Sequence, residues 1–273
     1  MKKIIYSLLL WFLAVLCGAG IAVYQRLTGP TYPISGKLNL GNEEVAYKLI
    51  RTFGGEGDAK IVIPVNRPDV AAEFSYKRYK SHDDWTAVPM LKTEEGLVAF
   101  VPHQPPAGKV MYEISIFHEN RELLLTEEPV IIRFKGAVPD WVTILHIIFI
   151  FLAFIFSMRT GFEALRKGRY TFAYTVATTL FLLLGGLVFG PIMQKYAFGA
   201  YWTGWPFGQD LTDNKTAIAL IFWMIALFVQ LKNREKKRWA AIASLVLLLT
   251  FLIPHSVLGS EIDHTKTTTG QTP

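Results

Sequence analysis

FGAYWTGWPFGQDLTDNK, residues Phe198–Lys215, is the stretch around which the rest of the chain is organised. It is too aromatic for an ordinary solvated loop, and it contains too much glycine and proline for a helix. It lies between two apolar runs that are long enough to cross a bilayer. We therefore expect it to form a belt and cap at the outer membrane face, with aromatic rings at the lipid–water interface.

Apolar residues are clustered in this chain rather than spread evenly. They make up 51% of the 273 residues, and the mean hydropathy is +0.30. A run of about 20 apolar residues matches roughly 30 Å of hydrocarbon. Five runs are candidate membrane spans: Ile4–Val23, Trp141–Met158, Thr171–Phe189, Thr216–Leu231 and Trp239–Ile253. The sequence therefore predicts a membrane protein with five transmembrane helices.

Basic residues between these runs predict the orientation of the spans. The three groups are Lys2 and Lys3; Arg159, Arg166, Lys167 and Arg169; and Lys232, Arg234, Lys236, Lys237 and Arg238. Short cationic loops stay in the cytoplasm. All three groups lie on one side if the N-terminus is inside and the C-terminus outside. We expect a multi-pass protein of a bacterial cytoplasmic (inner) membrane.

The segment between the first two runs has a different pattern. Alternating apolar residues predict half-buried strands, as at Val110, Tyr112, Ile114 and Ile116. Seven or eight such strands in about 105 residues favour an all-β extracytoplasmic sandwich. Its strand spacing resembles immunoglobulin-like or fibronectin-III-like domains, although the only cysteine, Cys17, lies in the first span. This segment has 13 basic and 15 acidic residues, which is not the basic balance of a nucleic-acid surface.

Four regions follow from these patterns. We expect an uncleaved transmembrane anchor at 1–29 and a β-sandwich at 30–138. A four-helix transmembrane domain then spans 139–264, with an outer aromatic and acidic loop at 191–215. The Thr-rich tail 265–273 has no apolar residues and is expected to be disordered.

The predicted topology brings a set of polar and aromatic residues to the outer face. The candidate ligand-binding residues are His146, Trp202, Trp205, Asp210, Asp213, Lys215 and His255. The aromatic residues fit an interfacial belt or, alternatively, a pocket for a quinone, a haem edge or a lipid. The aspartates fit helix capping or ion pairs with Lys195 or Lys215. His146 fits an interhelical hydrogen bond or a ligand and proton carrier.

A metal or haem site is the second interpretation of this outer face. Two neutral imidazoles, His146 and His255, are candidate axial haem ligands. Nitrogen and oxygen donors for a divalent metal are offered by His146, His255, Glu261, Asp263 and His264. Their spacing matches no standard metal motif.

Three functions remain open on the sequence alone. The first is a non-enzymatic binding or accessory protein for assembly or scaffolding, whose partners are membrane lipid and an envelope or membrane protein. In that hypothesis Gly186 and Gly190 form a small-residue face that docks a membrane complex. The second is a haem- or metal-binding redox subunit, and the third a lipid-active enzyme. HExxH, GxSxG, P-loop and GxGxxG motifs are absent from the sequence, which favours the first.

Overall fold

The computed structural model describes residues 2–41, 43–254 and 259–266. These residues form two compact units. The helical unit comprises the described residues of Met1–Pro30 and Val138–Gly259. The β unit comprises Thr31–Ala137 together with the C-terminal segment, residues 260–266. The segment 260–264, predicted to belong to the transmembrane domain, therefore packs with the β unit.

The described residues contain five helices. They are α1 Lys2–Thr28, α2 Asp140–Leu165, α3 Thr171–Phe198, α4 Leu211–Lys232 and α5 Arg238–Leu252. The first four are long and apolar enough to cross a membrane. The fifth has 15 residues. At 1.5 Å per residue it extends roughly 22 Å, less than the roughly 30 Å of a typical hydrocarbon core.

Helix α3 continues beyond the predicted end of the third span. Its segment Leu183–Phe189 is π-helical, and the α-helix resumes at Gly190 and runs to Phe198. Pro191 therefore does not end this helix. Pro191 lies in the first turn of the resumed α-helix, where a missing N–H is tolerated, and the wider π turn precedes it.

Helix α2 is also longer than predicted. It continues past Met158 to Leu165, so Arg159 is a buried helical residue rather than part of a cationic loop. The helical core lies where α5 packs against both α2 and α4. Its buried residues include Trp223 of α4 and Ala240 of α5.

The β unit contains eleven short strands among the described residues. They are β1 Ile34–Leu40, β2 Glu43–Leu49, β3 Thr52–Phe53, β4 Ala59–Ile63, β5 Ala71–Arg78, β6 Thr86–Pro89, β7 Leu91–Thr93, β8 Gly96–Val101, β9 Lys109–His118, β10 Arg121–Leu124 and β11 Val130–Phe134. Three sheets result, with the orders β1-β2, β3-β11-β9-β5-β6 and β4-β8-β7, and β10 also pairs with β9. All pairs are antiparallel except β3 with β11.

Strand β9 is the centre of the largest sheet and shows the predicted alternation. Val110, Tyr112, Ile114 and Ile116 are all buried, and the residues between them are partly exposed. Residues of all three sheets contribute to a single hydrophobic core. The alternation of apolar residues at every second position therefore identified the buried face of this strand.

Candidate functional site

The loop between α3 and α4 is held by the first turn of α4. One carboxylate oxygen of Asp213 accepts the backbone N–H groups of Thr203 at 2.7 Å and Gly204 at 2.9 Å. The side-chain amide of Gln194 in α3 donates to the same oxygen at 3.1 Å. A Cβ at position 204 would lie 2.6 Å from the Asp213 Cβ, so glycine permits this approach. Asp213 therefore anchors the loop, rather than capping its own helix as predicted.

Asp210 and Lys215, which are close to Asp213 in sequence, form hydrogen bonds at the ends of helices. The carboxylate of Asp210 accepts the N–H of Thr212 at 2.8 Å, which is the predicted N-cap of α4. Lys215 is only 2% exposed, and its Nζ donates to the carbonyl of Ile253 at 2.6 Å. Ile253 directly follows α5, so this bond links the start of α4 to the end of α5. Helix ends that are shielded from water need such partners because water cannot supply them.

The aromatic side chains of the loop form an exposed tip. Trp205 and Phe207 are 78% and 82% exposed. The N–H of Trp205 donates to the side-chain oxygen of Asn214 at 2.7 Å, which fixes the tip to α4. Trp202 is half-buried and donates its Nε1 to the Trp205 carbonyl at 3.2 Å. Such outward rings suit an interfacial belt better than the walls of an enclosed pocket.

His146 contacts the π-helical part of α3. Its Nδ1 lies 2.9 Å from the carbonyl oxygen of Gly185, and that oxygen also accepts the N–H of Gly190. A carbonyl only accepts, so Nδ1 carries the hydrogen. A Cβ at Gly185 would lie 2.9 Å from the backbone nitrogen of Ile150, which shows how closely α2 and α3 approach. His146 therefore makes an interhelical hydrogen bond at the point where α3 changes its helical register.

The small-residue face of α3 is an internal contact. A Cβ at Gly186 would lie 2.6 Å from the Thr216 side chain of α4. A Cβ at Gly190 would lie 3.7 Å from the His146 ring of α2. The chain's own helices occupy this face, contrary to the prediction that it docks a membrane complex.

The C-terminal segment, residues 260–266, binds the rest of the β unit through charged groups. The Glu261 carboxylate pairs with both Lys80 and Lys109, and the Arg133 guanidinium donates to the Ser260 carbonyl. Burial opposes the charge of Glu261, but the hydrogen bonds from Lys109 and Lys80 outweigh it and lower its pKa. Sequence reasoning placed Glu261 at the outer face but did not identify these partners, which are 152 and 181 residues away.

The predicted metal ligands are divided between different surroundings. His146 belongs to the helical unit, and Glu261, Asp263 and His264 belong to the β unit. His255 lies outside the described residues. Within residues 2–41, 43–254 and 259–266, no group of three or more His, Cys, Asp or Glu is arranged to hold a metal. The metal and haem interpretations therefore stay predictions.

A buried ion pair in α2 was missed by the sequence analysis. Arg159 and Glu163 are 1% and 4% exposed, and their charged groups are 2.8 Å apart. The guanidinium lies 5.5 Å from the Trp11 ring centre and 4.9 Å from that of Tyr174. Opposite charges four residues apart were a readable signal, because such residues are neighbours on a helix. Arg159 was instead counted among the loop cations.

Three polar side chains of the helical unit bind the protein's own backbone. Asp213 accepts from loop N–H groups, whereas His146 and Lys215 donate to carbonyl groups. These bonds stabilise the fold because a buried polar group without a partner costs about 1–3 kcal/mol. No protein-family model, curated protein or solved structure matches this chain, so its function is inferred from this geometry.

Proposed function

We propose that this protein is an integral binding and assembly protein of a bacterial cytoplasmic membrane. It crosses the membrane five times, with its N-terminus inside and its C-terminus outside. Its β unit is an immunoglobulin- or fibronectin-III-like sandwich on the extracytoplasmic side. The observation that carries this proposal is that His146, Asp210, Asp213 and Lys215 make structural hydrogen bonds, while β10 of the β unit is an exposed edge strand.

The C-terminal segment supports five crossings. Residues 260–266 pack in the same compact unit as Thr31–Ala137. A compact polar unit lies on one side of a membrane, so the chain must make an even number of crossings between residues 138 and 259. Helices α2, α3 and α4 supply three of them. The fourth is α5, whose shortness is accommodated by local bilayer thinning at a modest cost.

The charged connections support the orientation. The turn between α2 and α3 carries Arg166, Lys167 and Arg169, and the turn between α4 and α5 carries several more cations. Both turns lie an odd number of crossings from the β unit, and so on the opposite side of the membrane. The positive-inside rule then places the turns in the cytoplasm and the β unit outside.

The strand β10 offers a surface for a partner. All four of its residues are exposed, and among the described strands it pairs with β9 alone. An open edge strand accepts an extended segment of another chain through backbone hydrogen bonds. Leu124 is 50% exposed at this edge and supplies an apolar contact. The partner is therefore an envelope protein with an extended apolar segment.

Photo-crosslinking in living cells tests this proposal. A benzoylphenylalanine replaces Leu124, and the control places it at Glu56, which is exposed in a glycine-rich turn of the same unit. We expect the same envelope protein to be crosslinked at position 124 and not at position 56. Two proline substitutions in β10 should abolish the adduct, because proline removes N–H donors from the edge. Absence of an adduct at position 124, or equal labelling at both positions, contradicts the proposal.

A further inference from the structure

A cavity of about 260 Å³ lies within the helical unit, between α1, α2 and α5. Gly18 and Ile21 of α1, Phe154 of α2 and Phe251 of α5 are among its mainly apolar lining residues. Its volume is near the lower limit for small-molecule sites, so it suits part of a molecule whose remainder lies in the bilayer.

The polar lining of this cavity lies at one end. Gln25 is near the end of α1, and His146 is near the start of α2. Gly18 lies seven residues before Gln25, and Phe154 lies eight residues after His146. At 1.5 Å per residue these separations are about 10 and 12 Å along the two helices. The cavity therefore has a polar end near the membrane surface and an apolar end in the hydrocarbon.

The two polar side chains have different roles at this end. The Gln25 amide donates to the carbonyls of Phe251 and Ile253, which fixes α1 against the end of α5. His146 has its Nδ1–H directed to Gly185, so Nε2 of the neutral ring is an acceptor. Nε2 has no hydrogen-bond partner among the described residues. His146 is one of the residues that line the cavity, and its Nδ1 and Cε1 atoms lie toward Gly185 and Gly190.

The cavity depends on a glycine at its apolar end. A Cβ at Gly18 would lie 3.1 Å from the Ile155 side chain and 3.7 Å from Phe154. A larger side chain here would therefore fill the space. Gly20, two residues later, has nothing within 4 Å of its position for a Cβ. The chain thus contains a matched control position on the same helix.

We propose that this cavity binds a single-chain membrane amphiphile with a hydroxyl head group. The hydroxyl donates to Nε2 of His146, and the alkyl chain lies along Ile150 and Phe154 into the bilayer. An apolar cavity in lipid takes up an apolar chain, as dry cavities in proteins bind apolar molecules. A hydroxyl in hydrocarbon needs a partner, and the unpartnered imidazole acceptor supplies it.

Photolabelling of the full-length protein in nanodiscs tests the proposal. The probes are a diazirine-bearing hexadecanol and its methyl ether, which has the same chain but cannot donate a hydrogen bond. We expect labelled peptides from α1 and α2 around the cavity. The alcohol should label them roughly threefold to tenfold more than the ether, the range expected for one hydrogen bond.

Two variants separate binding in the cavity from labelling by bulk lipid. Gly18→Leu should remove labelling at Phe154, while Gly20→Leu should leave it unchanged. Circular dichroism and gel filtration establish that both variants are folded. If Gly18→Leu does not fold, the comparison of alcohol with ether in the wild type still decides. Equal labelling by both probes, or labelling at Phe154 that survives in folded Gly18→Leu, overturns the proposal.

Discussion

Replacement of Glu261 by glutamine is expected to release the C-terminal segment from the β unit. The carboxylate is bound by both Lys80 and Lys109, and its side chain is 23% exposed. Glutamine has nearly the same shape but no charge, so the variant keeps the packing and loses two charge-assisted hydrogen bonds.

The exposure of the partners sets the size of this effect. Hydrogen bonds to charged groups contribute about 1.5–3 kcal/mol each when they are shielded from water. Lys109 is 15% exposed, but Lys80 is 43% exposed, so its bond approaches the roughly 0–1 kcal/mol of a surface ion pair. We expect a total loss of about 2 kcal/mol, or roughly thirtyfold in the equilibrium between bound and released segment.

Hydrogen exchange measures this equilibrium directly. The amide of His264 donates to the Lys80 carbonyl at 2.9 Å, so it is protected while the segment is bound. Exchange should be about thirtyfold faster in Glu261→Gln. Glu122→Gln is the matched control, because Glu122 is exposed on β10 without an ion pair to any described residue. Unchanged protection of His264 in Glu261→Gln would refute the reasoning.

The same assay has a predicted pH dependence. The pKa of Glu261 is lowered from its ordinary value of 4.5 in the folded protein, because the two lysine hydrogen bonds outweigh burial. A lowered folded pKa means that the stabilisation is fully present above about pH 4.5 and is lost as pH falls through the folded pKa. The difference between wild type and Glu261→Gln should therefore disappear at acidic pH.

Two further predictions concern the helical unit. Asp213→Ala leaves two backbone N–H groups without their acceptor, so proteolysis of the 199–210 loop should accelerate and Tm in detergent should fall. Arg159→Met leaves Glu163 as an unpaired buried charge and should lower the unfolding free energy by about 3–5 kcal/mol. The double variant Arg159→Met/Glu163→Leu should recover most of the lost unfolding free energy. Denaturant titration measures both variants.

Local patterns predicted the elements of the fold with useful accuracy. The lengths of apolar runs located the four long helices, and alternation located the buried face of β9. Errors occurred where tertiary structure extends a helix beyond its apolar run. Arg159 and Glu163 remain helical because they neutralise each other, and Pro191 remains helical because a π turn precedes it. Neither effect is visible in hydropathy alone.

The candidate site was predicted less well than the fold. The N-cap role of Asp210 was readable, because it depends on a residue only two positions away. The anchoring role of Asp213 could not be predicted from the sequence, because its carboxylate oxygen accepts from the N–H of Thr203 in the loop and not from its own helix. The cavity beside His146 was also invisible in the sequence, since it needs three helices to be placed together.

The sequence by itself predicted helices long and apolar enough to cross a membrane and the change to β structure after the first of them, because each depends on neighbouring residues. Only the tertiary structure decided that Glu261 meets Lys80 and Lys109, and that His146 meets Gly185. Such contacts join residues far apart in the chain. Their partners are selected by how whole helices and strands pack, which no local pattern records.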